Sequence, residues 1–166
     1  SGESVVTTPA PLVDTSSYKL TGVYAGNIGR FQEVQTIVEA MGLLSDRSDV
    51  ALIVMGDGVE KKALVARARE LSANVHFLAY QPLEYAKQVI LLADIGLVSL
   101  KPEIYKYAYP SKTMAYLEQG TPIIAMLEYE SELATEVCRL GCGFNVACGD
   151  YQGLATLIER LVDDDG

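Results

Sequence analysis

Apolar residues fall into two alternating rhythms along this chain. Short, β-prone and mostly apolar segments cover 20–25, 50–55, 75–78, 95–100, 122–126 and 143–146. The unbroken run over 50–55 suits a strand buried on both faces of a parallel sheet. Between these segments the spacing changes to that of helices: Phe31, Val34, Ile37, Val38 and Met41, then Leu64, Val65 and Ala68 on a charged background. Helical spacing returns over 83–93, 111–119, 132–140 and 154–162. Six strands alternating with helices predict a doubly wound α/β fold. Its parallel six-stranded sheet would have right-handed crossovers, order 3-2-1-4-5-6 and helices on both faces. Residues 1–17, rich in Ser, Thr, Pro and Gly without periodicity, read as a linker or frayed start, and 18–166 as the domain. Ligands of such sheets bind beyond the carboxyl ends of the strands. The loops that follow strands therefore carry the functional information.

Charge narrows the ligand. With 22 acidic and 13 basic residues the net charge is -9, so no broad basic field exists to hold a nucleic-acid backbone. A small anion needs only a local cluster of donors and stays open. No apolar stretch reaches the length of a membrane span, and no basic-then-apolar leader opens the sequence. Cys138, Cys142 and Cys148 form no CxxC pair, which argues for reduced cysteines in a cytoplasmic setting rather than a disulfide or zinc framework. The acidic end, Asp163 to Asp165, reads as solvated.

Gly26-Asn27-Ile28-Gly29 stands between the first strand and first helix, the usual position of a phosphate in a mononucleotide fold; a tight turn is the plainer reading. It is not GxGxxG, so a nicotinamide dinucleotide has weak support. Asp57, between two glycines, is placed to cap the helix that begins near Val59. Pro110-Ser111-Lys112 is more specific. Ser111 is a good N-cap, and Lys112 then lies where the helix dipole disfavours a cation unless an anion faces it. His76 in its short strand reads as a packed or edge histidine. Tyr105, Tyr107 and Tyr109 alternate and would either rim a pocket or cover the sheet end. No nucleophile elbow, Walker loop or metal-ligand cluster is present, and neither a metal nor a cofactor is expected.

Taken together these loops resemble the C-terminal domain of the family 4 glycosyltransferases, enzymes of two Rossmann-like domains (the GT-B fold). The resemblance is carried by "YAGNIGRFQEVQTIVEAM", "ALIVMGDGVEKKALV", "NVHFLAYQP", "ADIGLVSLKP" and "YPSKTMAYLEQGTPIIA", in the family's order and spacing. It is closest to bacterial transferases that build surface polysaccharide. It implies a domain that binds a nucleotide-diphosphate sugar, in a retaining enzyme whose acceptor is a glycan or a lipid-linked glycan. The acceptor-binding N-terminal domain would precede Ser1, so the isolated domain is expected to be inactive. The setting implied is cytoplasmic, including the inner face of the membrane.

By position, Gly26, Asn27, Gly29 and Arg30 would face the diphosphate, with Asp57 in the next loop. Ala79, Tyr80 and Gln81 would lie along the base, and Ser111, Lys112 and Thr113 would meet the phosphates, with Tyr109 and Pro110 also among the donor-binding residues. No catalytic residue is assigned in this domain; Lys112 and Arg30 are the candidates for stabilising the leaving diphosphate. The chain departs from the family pattern in two places. Asn27 and Gln32 stand where an arginine and a lysine are usual, and Tyr107 and Ala115 replace both carboxylates of the Glu-x7-Glu pair. Glu118, one helical turn past Ala115, is the remaining acid at that place. Two alternatives stay open: a GT-B-like domain that binds a nucleotide sugar without transfer, and an unrelated Rossmann-like redox or methyl-transfer domain.

Overall fold

The computed structural model describes residues 13–30, 32–99, 116, 120–126 and 143–164. Six strands, β1 (Leu20–Ala25), β2 (Val50–Met55), β3 (Val75–Leu78), β4 (Ile95–Ser99), β5 (Ile123–Met126) and β6 (Gly143–Val146), form one sheet in the order β3-β2-β1-β4-β5-β6. Every neighbouring pair is parallel. The described helices are α1 (Val34–Leu43), α2 (Lys61–Leu71), α3 (Leu83–Leu92) and α4 (Tyr151–Asp163). The helices expected over 111–119 and 132–140, Leu100 and residues 1–12 lie outside the described residues, Tyr116 apart.

The four central strands are buried along their whole length, which is why their sequences are mostly apolar rather than alternating, with Thr21 and Ser99 the buried polar positions. Successive side chains go to opposite layers. Tyr24, Leu52, Val54, Leu97 and Met126 pack under α1, α2 and α4. Val23, Ala25, Ile53, Met55, Val98 and Ala125 pack with α3, Val13 and Tyr116. The edge strands β3 and β6 are only half-buried. His76 lies on the β3 edge as the sequence suggests, its Nε2 3.2 Å from the hydroxyl of Tyr18. Among the described residues no helix is long and apolar enough to cross a membrane.

Local chemistry sets the helix ends. Asp150 caps α4 by accepting from the Gly153 amide at 2.9 Å, and Pro82 presets the backbone that leads into α3. Helix α1 is the exception. It starts at Val34 rather than near Phe31 because Glu33, the residue before it, takes a left-handed conformation (φ 48°, ψ 43°) and makes no side-chain cap. That geometry costs a non-glycine residue on the order of 1 kcal/mol. Glu33→Gly is therefore expected to stabilise the chain by about 0.5 kcal/mol, strain relief exceeding the added chain entropy. Denaturant unfolding checks this; a lower midpoint would show that Glu33 makes a contact worth more than its strain.

Candidate functional site

At its carboxyl end β1 turns into the Gly26–Gly29 loop, and Tyr24 governs how. Its buried hydroxyl donates to the Asn27 carbonyl at 2.6 Å, folding the loop back over the strand. Burial, with the neighbouring Tyr116 phenol adding to it, pushes the Tyr24 phenol well above its ordinary value, so this donor keeps its proton. The loop after β2 lies directly against the first. Gly26 N–H donates to Met55 O (3.1 Å), Ile28 N–H to Asp57 O (3.0 Å) and Glu60 N–H to Ile28 O (3.1 Å). These bonds extend the β1–β2 ladder past the strands. A Cβ on Gly56 would land on the carbonyl oxygen of Gly26, and one on Gly58 on that of Ile28. What comes close to the second pair of glycines is thus the first loop's own backbone.

Asp57 has a structural role, but not the expected one. Helix α2 starts at Lys61, without a side-chain cap. The Asp57 carboxylate instead accepts from Lys61 Nζ (3.0 Å) and from the Tyr80 backbone N–H (3.0 Å), while Lys61 also donates to Leu78 O (3.3 Å). A residue pointing back along α2 would cap it; Asp57 points across to the loop after β3. The Tyr80 amide first, and the Lys61 ammonium second, hold its carboxyl below the usual range.

These three loops enclose a cleft of about 360 Å³ at the carboxyl ends of β1, β2 and β3, lined by Ala25, Gly26, Asn27, Met55, Asp57, Tyr80, Gln81 and Ala86. It brings together five of the residues the sequence singles out: Gly26, Asn27, Asp57, Tyr80 and Gln81. Ala79 is adjacent, its carbonyl accepting from Gln81 Nε2 at 3.1 Å. Tyr80 stands 68% exposed beside the opening. Gly29 and Arg30 go elsewhere. They line a second cleft of about 690 Å³ between the starts of α1, α2 and α4, with Glu39, Glu60, Arg67 and Tyr151. Arg67 there is committed to Glu39 and Glu70, whereas none of the ion pairs among the described residues engages Arg30. Tyr109, Pro110, Ser111, Lys112, Thr113 and Glu118 lie outside the described residues, as do Tyr107 and Ala115.

One residue absent from the sequence expectations stands at the centre of the sheet. Tyr116, 1% exposed, places its hydroxyl between β1 and β4, accepting from Ala25 N–H at 2.9 Å and donating to Leu97 O at 3.2 Å. Its only sequence signal is Gly96, where a Cβ would come within 2.8–2.9 Å of the Tyr116 ring.

Residues 19–164 match the family model described as glycosyl transferases group 1. The chain is 26% identical over 159 residues to the Pseudomonas aeruginosa protein named probable glycosyltransferase WbjE, covering 94% of this chain and 40% of that one. Among solved structures, Anabaena HepE in complex with UDP-glucose superposes with a TM-score of 0.73 at 19% identity, over 90% of this chain and 40% of HepE. WaaG, a glycosyltransferase involved in lipopolysaccharide biosynthesis, superposes with a TM-score of 0.69 at 19% identity, over 87% of this chain and 38% of WaaG. The chain thus spans about 40% of the length of these relatives. At this identity the structural likeness establishes the fold.

Two outcomes follow from the loop geometry. Gly56→Ala should cost about 3 kcal/mol of unfolding free energy, because the obstacle is backbone that cannot rotate away; a loss under 1 kcal/mol would contradict the loop contact. For Asp57 the depressed folded pKa means its contribution is present above the unfolded value, near pH 4, and is lost as pH falls through the lower folded value. Wild type should therefore melt above Asp57→Asn at about pH 6, with the gap narrowing as the pH falls below about 4. A gap that does not change with pH would mean that the carboxylate charge contributes nothing.

Proposed function

The chain belongs to the group 1 glycosyl transferases, and from that premise we propose that it is the donor-binding half of a retaining enzyme. The whole protein would move a sugar from a nucleotide-diphosphate sugar to a glycan or lipid-linked acceptor in polysaccharide biosynthesis, on the cytoplasmic side of the membrane. The observation that carries this reading is the 360 Å³ cleft at the carboxyl ends of β1–β3, lined by Gly26, Asn27, Asp57, Tyr80 and Gln81. Support comes from HepE, solved with UDP-glucose on the same fold.

In this reading the base lies along Ala79, Tyr80 and Gln81, with the exposed Tyr80 ring available for stacking. The backbone of Gly26 and Asn27 faces the diphosphate. Retaining transfer asks the protein to position donor and acceptor and to stabilise the charge that develops on the leaving diphosphate. Lys112, which the sequence pattern puts near a helix start with Ser111 and Thr113, would be the principal cation for that role. Arg30 is the second, and reaches the diphosphate only by turning away from the cleft it now lines. The acceptor falls to a partner domain in the portion of the relatives beyond the matched length. A non-catalytic nucleotide-sugar-binding domain is the second reading, favoured by Tyr107 and Ala115 in place of the family's carboxylate pair. Turnover of nucleotide sugars by the full-length protein separates the two. The family match removes the support for a redox or methyl-transfer domain.

Calorimetry with this chain is expected to show weak binding of nucleoside diphosphate, weaker binding of the nucleoside, and no sugar transfer, because half a cleft buries only part of the donor. Lys112→Ala should cost about 1.5–3 kcal/mol of diphosphate affinity, the range for a hydrogen bond to a charged group. Unchanged affinity with a lowered melting temperature would make Lys112 structural.

A further inference from the structure

β1 and β4 pair at Gly22–Ile95 and Val23–Gly96, and no further pairing is present among the described residues. Beyond that point Ala25 N–H and Leu97 C=O both bond to the Tyr116 hydroxyl instead of continuing the ladder. The ring that carries this hydroxyl lies flat on Gly96, which has no Cβ to displace it. Ala25 is the last residue of β1 and itself lines the cleft; Gly26 and Asn27, which follow, line it too. We propose that Tyr116 is a positioning residue for the donor cleft: its hydroxyl, inserted between β1 and β4, fixes the Ala25 amide and so sets where the Gly26–Asn27 backbone stands. The proposal rests on the reading that this backbone faces the donor's diphosphate.

The alternatives open to the backbone show why one hydroxyl matters. If it is removed, Ala25 N–H and Leu97 C=O are left buried without partners, a state native proteins rarely tolerate. The other escape is for the two strands to close to ordinary ladder spacing of about 4.8 Å, which drags the end of β1 toward β4. Either way the Gly26 loop leaves its position. Burial raises the Tyr116 phenol far above its ordinary pKa, so the hydroxyl keeps its proton and can accept from one strand while donating to the other.

The test compares wild type, Tyr116→Phe, Gly96→Ala (which crowds the ring) and the distant core control Ile158→Val in α4. Two readouts are taken at temperatures where all four are folded: calorimetric affinity for UDP and uridine, and amide exchange along the chain. The positioning role predicts that Tyr116→Phe and Gly96→Ala weaken UDP about tenfold, change uridine less than twofold, and speed exchange at Ala25, Gly26 and Asn27 at least tenfold relative to β2 amides. Ile158→Val should lower the melting temperature and do neither. Unchanged UDP affinity with exchange rising evenly across the sheet would overturn the proposal and leave Tyr116 a packing residue. If wild type binds neither UDP nor another nucleoside diphosphate, the donor reading fails, and the exchange pattern alone decides whether Tyr116 sets the loop.

Discussion

The carboxyl end of β1 is gripped from both sides by different means, and the cleft exists because of it. On the β2 side the grip is backbone: the ladder runs on from Met55 into the Gly56–Gly58 turn, close enough that two glycines are obligatory. On the β4 side it is one phenol, which replaces the ladder at the point where the strands part. A parallel sheet whose order reverses at β1 opens a crevice there by topology alone. The cleft beside that switch point, at the ends of β1, β2 and β3, has defined walls, since neither the Gly26 loop nor the Gly56 loop can shift without breaking hydrogen bonds between them.

Charge is distributed to match. The protein is strongly acidic, and three of its described cations are held by acids. Arg47 bridges Asp49 and Asp163, tying the loop before β2 to the end of α4, and Arg67 bridges Glu39 and Glu70. Lys61 is bound to Asp57. Among the described residues that line the cleft there is no cation, and Asp57 is the one charged group. In the proposed donor site, recognition of the diphosphate would then rest largely on backbone amides, whose dipoles the fold has already fixed.

The central strands were legible because burial on both faces leaves a mostly apolar run, and the edge strands from short β-prone segments between turns; β1, β2, β3 and β6 fall where the sequence puts them. Helix starts were less so. Val34 begins α1 because Glu33 bends the wrong way, and residue type alone does not signal a left-handed glutamate. The loops that line the cleft could be named from their glycines, but not what those glycines approach, since contact between two loops depends on strand register. Asp57 followed the same logic: a carboxylate beside a helix start suggests a cap, and only the position of β3 turns it toward Tyr80. Tyr116 was the hardest to see. In an amphipathic run an aromatic residue reads as core, and its hydroxyl gains meaning only once Gly96, Ala25 and Leu97 are brought around it.

The central claim, that the three loops after β1, β2 and β3 form the donor site, is met most directly by a crystal structure of this chain soaked with a nucleoside diphosphate. The account predicts the base between the Gly26 loop and Tyr80, with the diphosphate on the Gly26–Asn27 backbone. A diphosphate seated in the larger cleft beside Arg67 and Tyr151, with the Gly26–Tyr80 cleft empty, would contradict it.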